Sequence, residues 1–283
     1  DKKDAQEFIK YLEDGSNNET IVVSSSKRQE KKNPPLLYNL AELQNECSRR
    51  FKLSPDETLK VVQDLYEKKL VTYPRTDARV LSSAVAKEIY KNIGGLNNYT
   101  PLSGFANEIM QGKKYQGIIK SKYVDDKKIT DHFAIIPTGT APKSLSEAEA
   151  KIYDLVTRRF LSVFYPAAEY RVTTRITRVE GEAFKTEGKI LVNPGWLAVY
   201  GKSAAVSEDE GGAPQLVAVE PGEKVSTDEI LVKALVTKPP ARFNEATLLS
   251  AMEGAGKMVD DEELRAAMAG RGLGTPATRA QII

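Results

Sequence analysis

The sequence predicts an α+β protein of more than one domain, and three observations carry that prediction. From Asn39 to Phe164 apolar residues recur at helical spacing. From Tyr170 the period changes to alternation, in short β-prone runs divided by Gly-, Pro- and Asp-rich turns. After Pro239-Pro240 helical spacing returns. A strand-like run near Ile21 is of the later kind, so residues 1–32 and 169–239 are expected to form one β-rich domain. The helical block 33–168 is then an insertion, and 240–283 begins a further helical region.

Taken in order, Phe8, Ile9, Tyr11 and Leu12 mark a short amphipathic helix, followed by a turn at Asp14–Asn18 and a strand at Thr20–Ser24. Lys27, Arg28, Lys31 and Lys32 lead into Asn33-Pro34-Pro35, which continues neither a helix nor an inner strand and so marks a boundary. Asn39, with Glu42 three residues on, caps a helix bearing Leu40, Leu43, Cys47 and Phe51 on one face. Ser54-Pro55-Asp56-Glu57 starts the next, lined by Leu59, Val62, Leu65 and Tyr66. Two tightly joined helices before a strand fit either a DNA-reading helix-turn-helix or a plain packing pair.

Leu70–Asp77 then reads as a short strand that stops at Pro74. Helices follow at about Ser82–Ile93, stopped by Gly94-Gly95, and at Ser103–Gln111, stopped by Gly112. Lysines at 113, 114, 120, 122, 127 and 128 form a face that is either solvated or turned to phosphate. A long helix starts at Ser144 with Glu147 three residues on, carries Ile152, Leu155, Val156 and Phe160, and ends at Pro166. Strands are expected at Tyr170–Val179, Ala183–Val192, Trp196–Tyr200, Gln215–Val219 and Glu229–Lys238, with an acidic, glycine-rich loop at Ser207–Pro214. At the end Asn244 caps a helix Glu245–Gly254, Asp260 or Asp261 caps Glu262–Ala269, and Thr275-Pro276 starts a third.

Composition is ordinary for a globular protein, with 41 basic residues against 39 acidic ones in 283. A net charge of +2 neither announces nor excludes a nucleic-acid partner, since clustering matters more than the sum. The single cysteine excludes an internal disulfide and a cysteine-based zinc site, and points to a reducing compartment. Its helical spacing from Leu40 and Leu43 makes it a small core residue. No apolar run approaches the roughly 18–20 residues of a membrane span, so a cytoplasmic protein without membrane partners is expected. Charged residues at the start and a helical pattern running into Ile283 suggest a piece of a longer chain.

Chemistry concentrates in three stretches. In Leu70–Asp77, proline holds Tyr73 in extended backbone, and residues two apart share a face, so Tyr73 and Arg75 point the same way. A phenol is a poor nucleophile near its free pKa of roughly 10, and a guanidinium beside it favours the phenolate while gripping phosphate oxygens. A packed tyrosine beside a surface arginine is the alternative. His132, the only histidine, opens an apolar run that ends at Pro137-Thr138; it serves either structure or a hydrogen bond to a phosphate or leaving oxygen. Gly272-Leu273-Gly274-Thr275-Pro276-Ala277-Thr278-Arg279 allows close backbone approach before a helix N-terminus, which suits an anion or an ordinary connection. Gly254-Ala255-Gly256-Lys257 is no P-loop, because Met258 stands where Ser or Thr is required. The acidic runs at 208–210 and 260–263 lack metal-site spacing and read as a solvated loop and a first helical turn.

Several stretches together resemble the type IA DNA topoisomerases, in particular their bacterial topoisomerase III branch. They are Pro34-Pro35-Leu36-Leu37-Tyr38-Asn39-Leu40, Leu65-Tyr66-Glu67, Thr72–Asp77, His132–Thr138, Phe243–Leu249 and Gly272–Arg279, and they run in the family's order through almost the whole chain. The resemblance implies a toroid fragment: a β-rich arch, an inserted helical gate and the start of a helical base arm. It places Tyr73 on the tyrosine that attacks one DNA strand and leaves a 5′-phosphotyrosine, and Arg75 beside the scissile phosphate. His132 and Thr138 are expected at the DNA there, and Glu245, Thr275, Thr278 and Arg279 in an arm that touches the single strand. The implied partners are single-stranded DNA, a duplex passing through the toroid, and the protein's own amino-terminal Toprim domain. That domain would carry the magnesium site, so none is expected in these residues, and no ATP. Ala78 and Phe133 depart from the family, which usually has Ser and, in many topoisomerase III proteins, a second histidine. The implied setting is the bacterial cytoplasm, at the nucleoid or a plasmid. The competing function is a non-enzymatic DNA-binding module built on the helix pair at 40–68.

Overall fold

The computed structural model describes residues 2–15, 19–201, 216–268 and 272–283. The chain divides into two compact units, Asp1–Asn33 with Ala167–Pro240, and Pro34–Pro166 with Ala241–Ile283.

The first unit is an antiparallel sheet with a helix, α1 (Lys2–Gly15), before it. Ala5, Ile9 and Leu12 give α1 its inner face, while Phe8 and Tyr11, expected on that face, are exposed. The sheet has the order β3-β2-β1-β4, from β1 (Glu19–Lys32), β2 (Ala168–Val179), β3 (Glu182–Asn193) and β4 (Lys224–Ser226). β1 runs eight residues past the expected Ser24. Its polar second half stays extended because β2 pairs with it from Ile21↔Arg178 to Lys32↔Ala168. Lys31 meets Glu169 at 2.9 Å and Glu30 meets Lys189 at 2.6 Å, cross-strand pairs that a polar strand can use in place of burial. Glu180 and Gly181, both at positive φ, make the two-residue turn between β2 and β3.

Three expected strands are not strands. Trp196–Tyr200 lies in a 3-10 helix, Gly195–Tyr200. Asn193 accepts from the Gly195 N–H at 3.0 Å, Pro194 follows it, and the Leu197 N–H reaches back to the Pro194 carbonyl, so turn chemistry outweighs the alternating pattern. The Trp196 indole then donates to the Lys32 carbonyl at 2.8 Å. Residues 216–219 and Glu229–Lys238 are irregular, and Leu235 and Val236 are 79% and 85% exposed. Among the described residues neither run pairs with another strand, and alternation without such pairing does not make a strand. The loop Ser207–Pro214 and Gln215 lie outside the described residues.

The second unit is helical. Its first helices, α2 (Leu40–Phe51) and α3 (Pro55–Glu67), begin where the caps were expected. Asn39 accepts from the Glu42 N–H at 2.9 Å, and Ser54 and Glu57 form a reciprocal capping box. Cys47 is buried in α2, and burial pushes its thiol up to about 12, which leaves it a packing group. α4 (Ser83–Gly95) and α5 (Ser103–Gln111) follow. α6 (Glu147–Ser162) starts two residues later than expected. Ser144 and Ser146 both stand three residues before a glutamate. Ser146 is the cap because its partner Glu149 is buried and also takes Lys68 at 2.5 Å. On α6 the Arg159 guanidinium lies 4.0 Å from the Tyr38 ring and donates to the Leu36 carbonyl, fixing the extended entry segment.

Residues 241–283, expected to open a region of their own, belong to this helical unit. They carry α7 (Glu245–Glu253), α8 (Glu262–Met268) and the one-turn α9 (Arg279–Ile282). Asp261, not Asp260, caps α8 through the Leu264 N–H at 2.8 Å. α7 packs on α2, and the Asn39 amide donates to Glu253 at 2.7 Å.

Gly95, read as a helix stop, is the last residue of α4 and serves a close approach. A Cβ there would fall 2.0 Å from the carbonyl oxygen of Gly139, itself at φ +92°. Gly94 is open, with Met110 Cε at 3.9 Å the nearest atom. Gly95→Ala is therefore expected to cost about 2–3 kcal/mol in urea unfolding. Gly94→Ala is expected to be neutral or to gain about 0.5–1 kcal/mol. Equal effects at the two positions would remove the close approach as the cause.

Glu253 generates a pH prediction. Burial is the main cause that raises its carboxyl above the ordinary range, with the Asp77 carboxylate adding to it; Arg279, the Asn39 hydrogen bond and Arg79 oppose. A folded value above the unfolded one means that this stabilisation is complete below the ordinary 4.5 and is lost as pH rises through the folded value. Glu253→Gln keeps an acceptor for Asn39 without the charge. The variant is expected to melt above the parent at pH 8 and with it at pH 4; a gap of one size at both would exclude the carboxyl as the source.

Candidate active site

The site begins with the way α3 ends. Lys69 is left-handed at φ 60°, its N–H donates to the Tyr66 carbonyl at 2.8 Å, and the Leu70 N–H donates to Leu65 at 2.9 Å. The chain therefore turns back beside the helix it has just left. The expected strand is reduced to an extended segment with one bridge, Val71↔Pro137. Thr72 fixes its register. Its N–H donates to the Ile136 carbonyl at 3.0 Å, its hydroxyl donates to Ala134 at 3.0 Å, and it accepts from the Ile136 N–H at 2.9 Å.

With Thr72 held by residues 134–136, Tyr73 turns to the other side. Its ring lies edge-on to Tyr66 at 5.4 Å and tilted against His132 at 4.3 Å. Pro74 is buried, and the Thr76 N–H closes a tight turn onto its carbonyl at 2.9 Å. Arg75 comes to the same α3 face as Tyr73, and its Nη1 donates to Gln63 Oε1 at 3.0 Å. The Thr76 hydroxyl donates to the His132 carbonyl at 2.8 Å, which ties the histidine's backbone to the tyrosine loop. Tyr73 and Arg75 are partly exposed and His132 is exposed. The arrangement offers a phenol, a guanidinium and an imidazole at one surface, a set that can grip a phosphodiester and attack it.

The glycine-rich stretch forms the second wall. A Cβ on Gly272, at φ +64°, would fall 2.4 Å and 2.5 Å from the carbonyl oxygens of Met252 and Glu253, so only glycine fits. The Thr275 N–H donates to the Thr278 hydroxyl at 3.0 Å, and the helix starts at Arg279, three residues past the expected Pro276. Thr275 and Thr278 are exposed, with hydroxyl oxygens 3.1 Å apart.

Arg279, expected at the DNA, faces inward and is 2% exposed. Its Nε donates to Leu273 at 2.9 Å, Nη2 to Gly274 at 3.2 Å and Nη1 to Asp77 at 3.0 Å. It thus joins the glycine loop to the tyrosine loop. Thr138 donates its hydroxyl to the Lys69 carbonyl at 2.6 Å and pins the exit of α3. Glu245 lies elsewhere, in the first turn of α7, where it lines a groove of about 960 Å³ with Glu42, Glu46, Arg49, Lys52 and Phe243.

Sequence reasoning passed over Gln63 and Asp77 as site residues and placed Tyr66 in the packed face of α3, although it is 38% exposed. Gln63, Tyr66 and Glu67 share one helical face by spacing alone. That Tyr73 returns to this face depends on the left-handed Lys69, which carries no glycine signal. Among the described residues no group of three or more His, Cys, Asp or Glu side chains is placed to hold a metal ion.

A family model described as DNA topoisomerase matches residues 1–283. DNA topoisomerase 3 of Bacillus subtilis is 44% identical over 257 residues, covering 88% of this chain and 35% of that protein. DNA topoisomerase 3 of Bacillus licheniformis is 40% identical over 255 residues, with 88% and 34% covered. The chain thus spans about a third of the length of these curated relatives. Full-length topoisomerase I from Thermotoga maritima shares the fold, with a TM-score of 0.66 at 22% identity over 96% of this chain and 41% of that one. The α+β class expected from the sequence, observed as helices with an antiparallel sheet, is that of a type IA fragment. With a match across every residue and relatives of one kind, the chain belongs to the type IA DNA topoisomerases and is similar to their topoisomerase III members.

Proposed function

We propose that these residues supply the nucleophile and the phosphate grip of an ATP-independent enzyme that opens one DNA strand, passes a strand through and reseals it. The observation that carries this is the meeting of Tyr73, Arg75 and His132 on one accessible face of α3. The Tyr73 oxygen attacks phosphorus, and an O–P bond to the 5′-phosphate forms as the bond to the 3′ oxygen breaks. The phenolic proton leaves to a base, and the 3′ oxygen takes up a proton. Because one phosphodiester replaces another, the reverse attack reseals the strand without a nucleotide cofactor. Arg75 opposes the charge that builds on the phosphate, and His132 adds a donor beside it. Thr275, Thr278 and Thr138 line the path of the single strand in this reading, with Glu245 farther along the arm. Arg279 supports the wall from behind. In this reading magnesium and the acid–base groups are supplied by the Toprim domain that the resemblance implies, and these residues supply the tyrosine and the cation.

Four results are expected. In the intact enzyme, a 3′-end-labelled single-stranded oligonucleotide transfers its label to protein on a denaturing gel, and Tyr73→Phe abolishes the transfer. A labelled Tyr73→Phe protein would remove Tyr73 from the role. Arg75→Ala slows the transfer by about 100- to 1000-fold. The 283-residue chain alone, given magnesium and negatively supercoiled plasmid, leaves the plasmid supercoiled; relaxation would overturn the division of labour. In competition binding the same chain prefers single-stranded to duplex oligonucleotide, and loses affinity steeply with salt. Duplex preference unaffected by changes at Tyr73 would favour the helix-turn-helix reading instead.

A further inference from the structure

Beyond the proposed nucleophile and its cation, the face of α3 holds a residue that neither the family match nor the relatives' names assign. We propose that Gln63 is a positioning residue that holds Arg75 beside Tyr73, with its own amide held by Glu67; the inference rests on the reading of Tyr73 and Arg75 given above.

Arg75 stands on an irregular segment just past a buried proline, with a long side chain of many rotamers. A cation that must meet a phosphate in a transition state acts best when its position is fixed beforehand. Gln63 Oε1, at 3.0 Å, is the hydrogen-bond partner of Arg75 among the described residues. Glu67, one turn along the same helix, accepts from Gln63 Nε2 at 3.1 Å. A carboxylate only accepts and a guanidinium only donates, so the amide between them has one workable orientation: nitrogen to Glu67, oxygen to Arg75. The order of the three groups matters. A carboxylate directly on Arg75 would cancel its charge and repel a phosphate. A neutral amide orients the guanidinium and leaves its charge for the DNA, while the carboxylate sits one residue removed.

α3 is a firm base for this. It is capped at Ser54, seated through Leu59, Val62 and Leu65, and sets Tyr66 against the nucleophile's ring. One rigid helix thus aligns the attacking oxygen and the charge that receives the phosphate.

The test is a double-mutant cycle on the intact enzyme, following label transfer from the same oligonucleotide at saturating concentration. Gln63→Met is expected to slow transfer by about 10- to 100-fold, and Gln63→Glu at least as much. Affinity for the uncleaved oligonucleotide, measured in a Tyr73→Phe background, should change less than about 3-fold. Glu67→Gln should slow transfer less than Gln63→Met does. The decisive result is Gln63→Met in an Arg75→Ala background: no further loss is expected, because the group being positioned is gone. Losses that multiply, or a Gln63→Met enzyme at full rate, would overturn the assignment of Gln63. Label transfer that survives Tyr73→Phe would overturn the nucleophile reading and this inference with it, so the two failures are told apart.

Discussion

Thr72 is gripped from one side by three hydrogen bonds to the 134–136 segment, and the two residues after it that matter chemically depend on that grip. Side chains alternate along extended backbone, so a slip of one residue would bury Tyr73 and Arg75 and turn their neighbours outward. An isolated bridge is a weak device for fixing register. Here the side-chain hydroxyl of Thr72 adds a donor and an acceptor to the backbone pair, and the segment it grips is anchored in turn. The Asn92 amide donates to the Pro137 carbonyl at 2.9 Å, and the Gly95–Gly139 approach leaves no room for it to drift. The site is held by the scaffold behind it more than by contacts among its own members.

What the sequence disclosed and what it hid follow from the range of the interactions. Caps at Asn39, Ser54 and Asn244 were legible because each side chain accepts from a backbone N–H only three residues on. Ser144 and Ser146 carry the same local signal, and only Lys68, far off in sequence, separates them. Alternation at 229–238 was a true periodicity with no partner strand among the described residues, whereas the polar half of β1 had a partner and no periodicity to announce it. In the site, Tyr73, Arg75 and His132 were legible as residue types in a pattern. The inward turn of Arg279 was not, since a guanidinium reads alike in sequence whether it faces a phosphate or carbonyl oxygens.

The basic residues teach a similar lesson. Lys114 lies 2.5 Å from Glu108, Lys128 2.9 Å from Asp125, and Lys122 donates to the Pro34 carbonyl at 3.0 Å. Two of the six lysines that the sequence left open between solvent and phosphate are thus paired with carboxylates, and a third is held by a carbonyl. Exposed pairs of this kind contribute little stability. Their effect is to lower the positive field around Lys114 and Lys128, so the sum of charges on that face overstates its pull on an anion.

The bond from Arg279 to Asp77 joins residues 202 positions apart. Closing so long a loop adds only a logarithmic entropy cost, so the finished fold loses little by it. The order of synthesis is another matter. At roughly 5–20 residues per second, the tyrosine loop is made roughly 10–40 s before Arg279 exists. Once residues 132–136 have followed, the nascent loop has its helix and its aromatic neighbours but still lacks the buried fork that closes its far side. The surroundings of Tyr73 are thus completed from the carboxy-terminal end, and a ribosome that stalled before residue 279 would hold a chain with its tyrosine in place and its second wall missing.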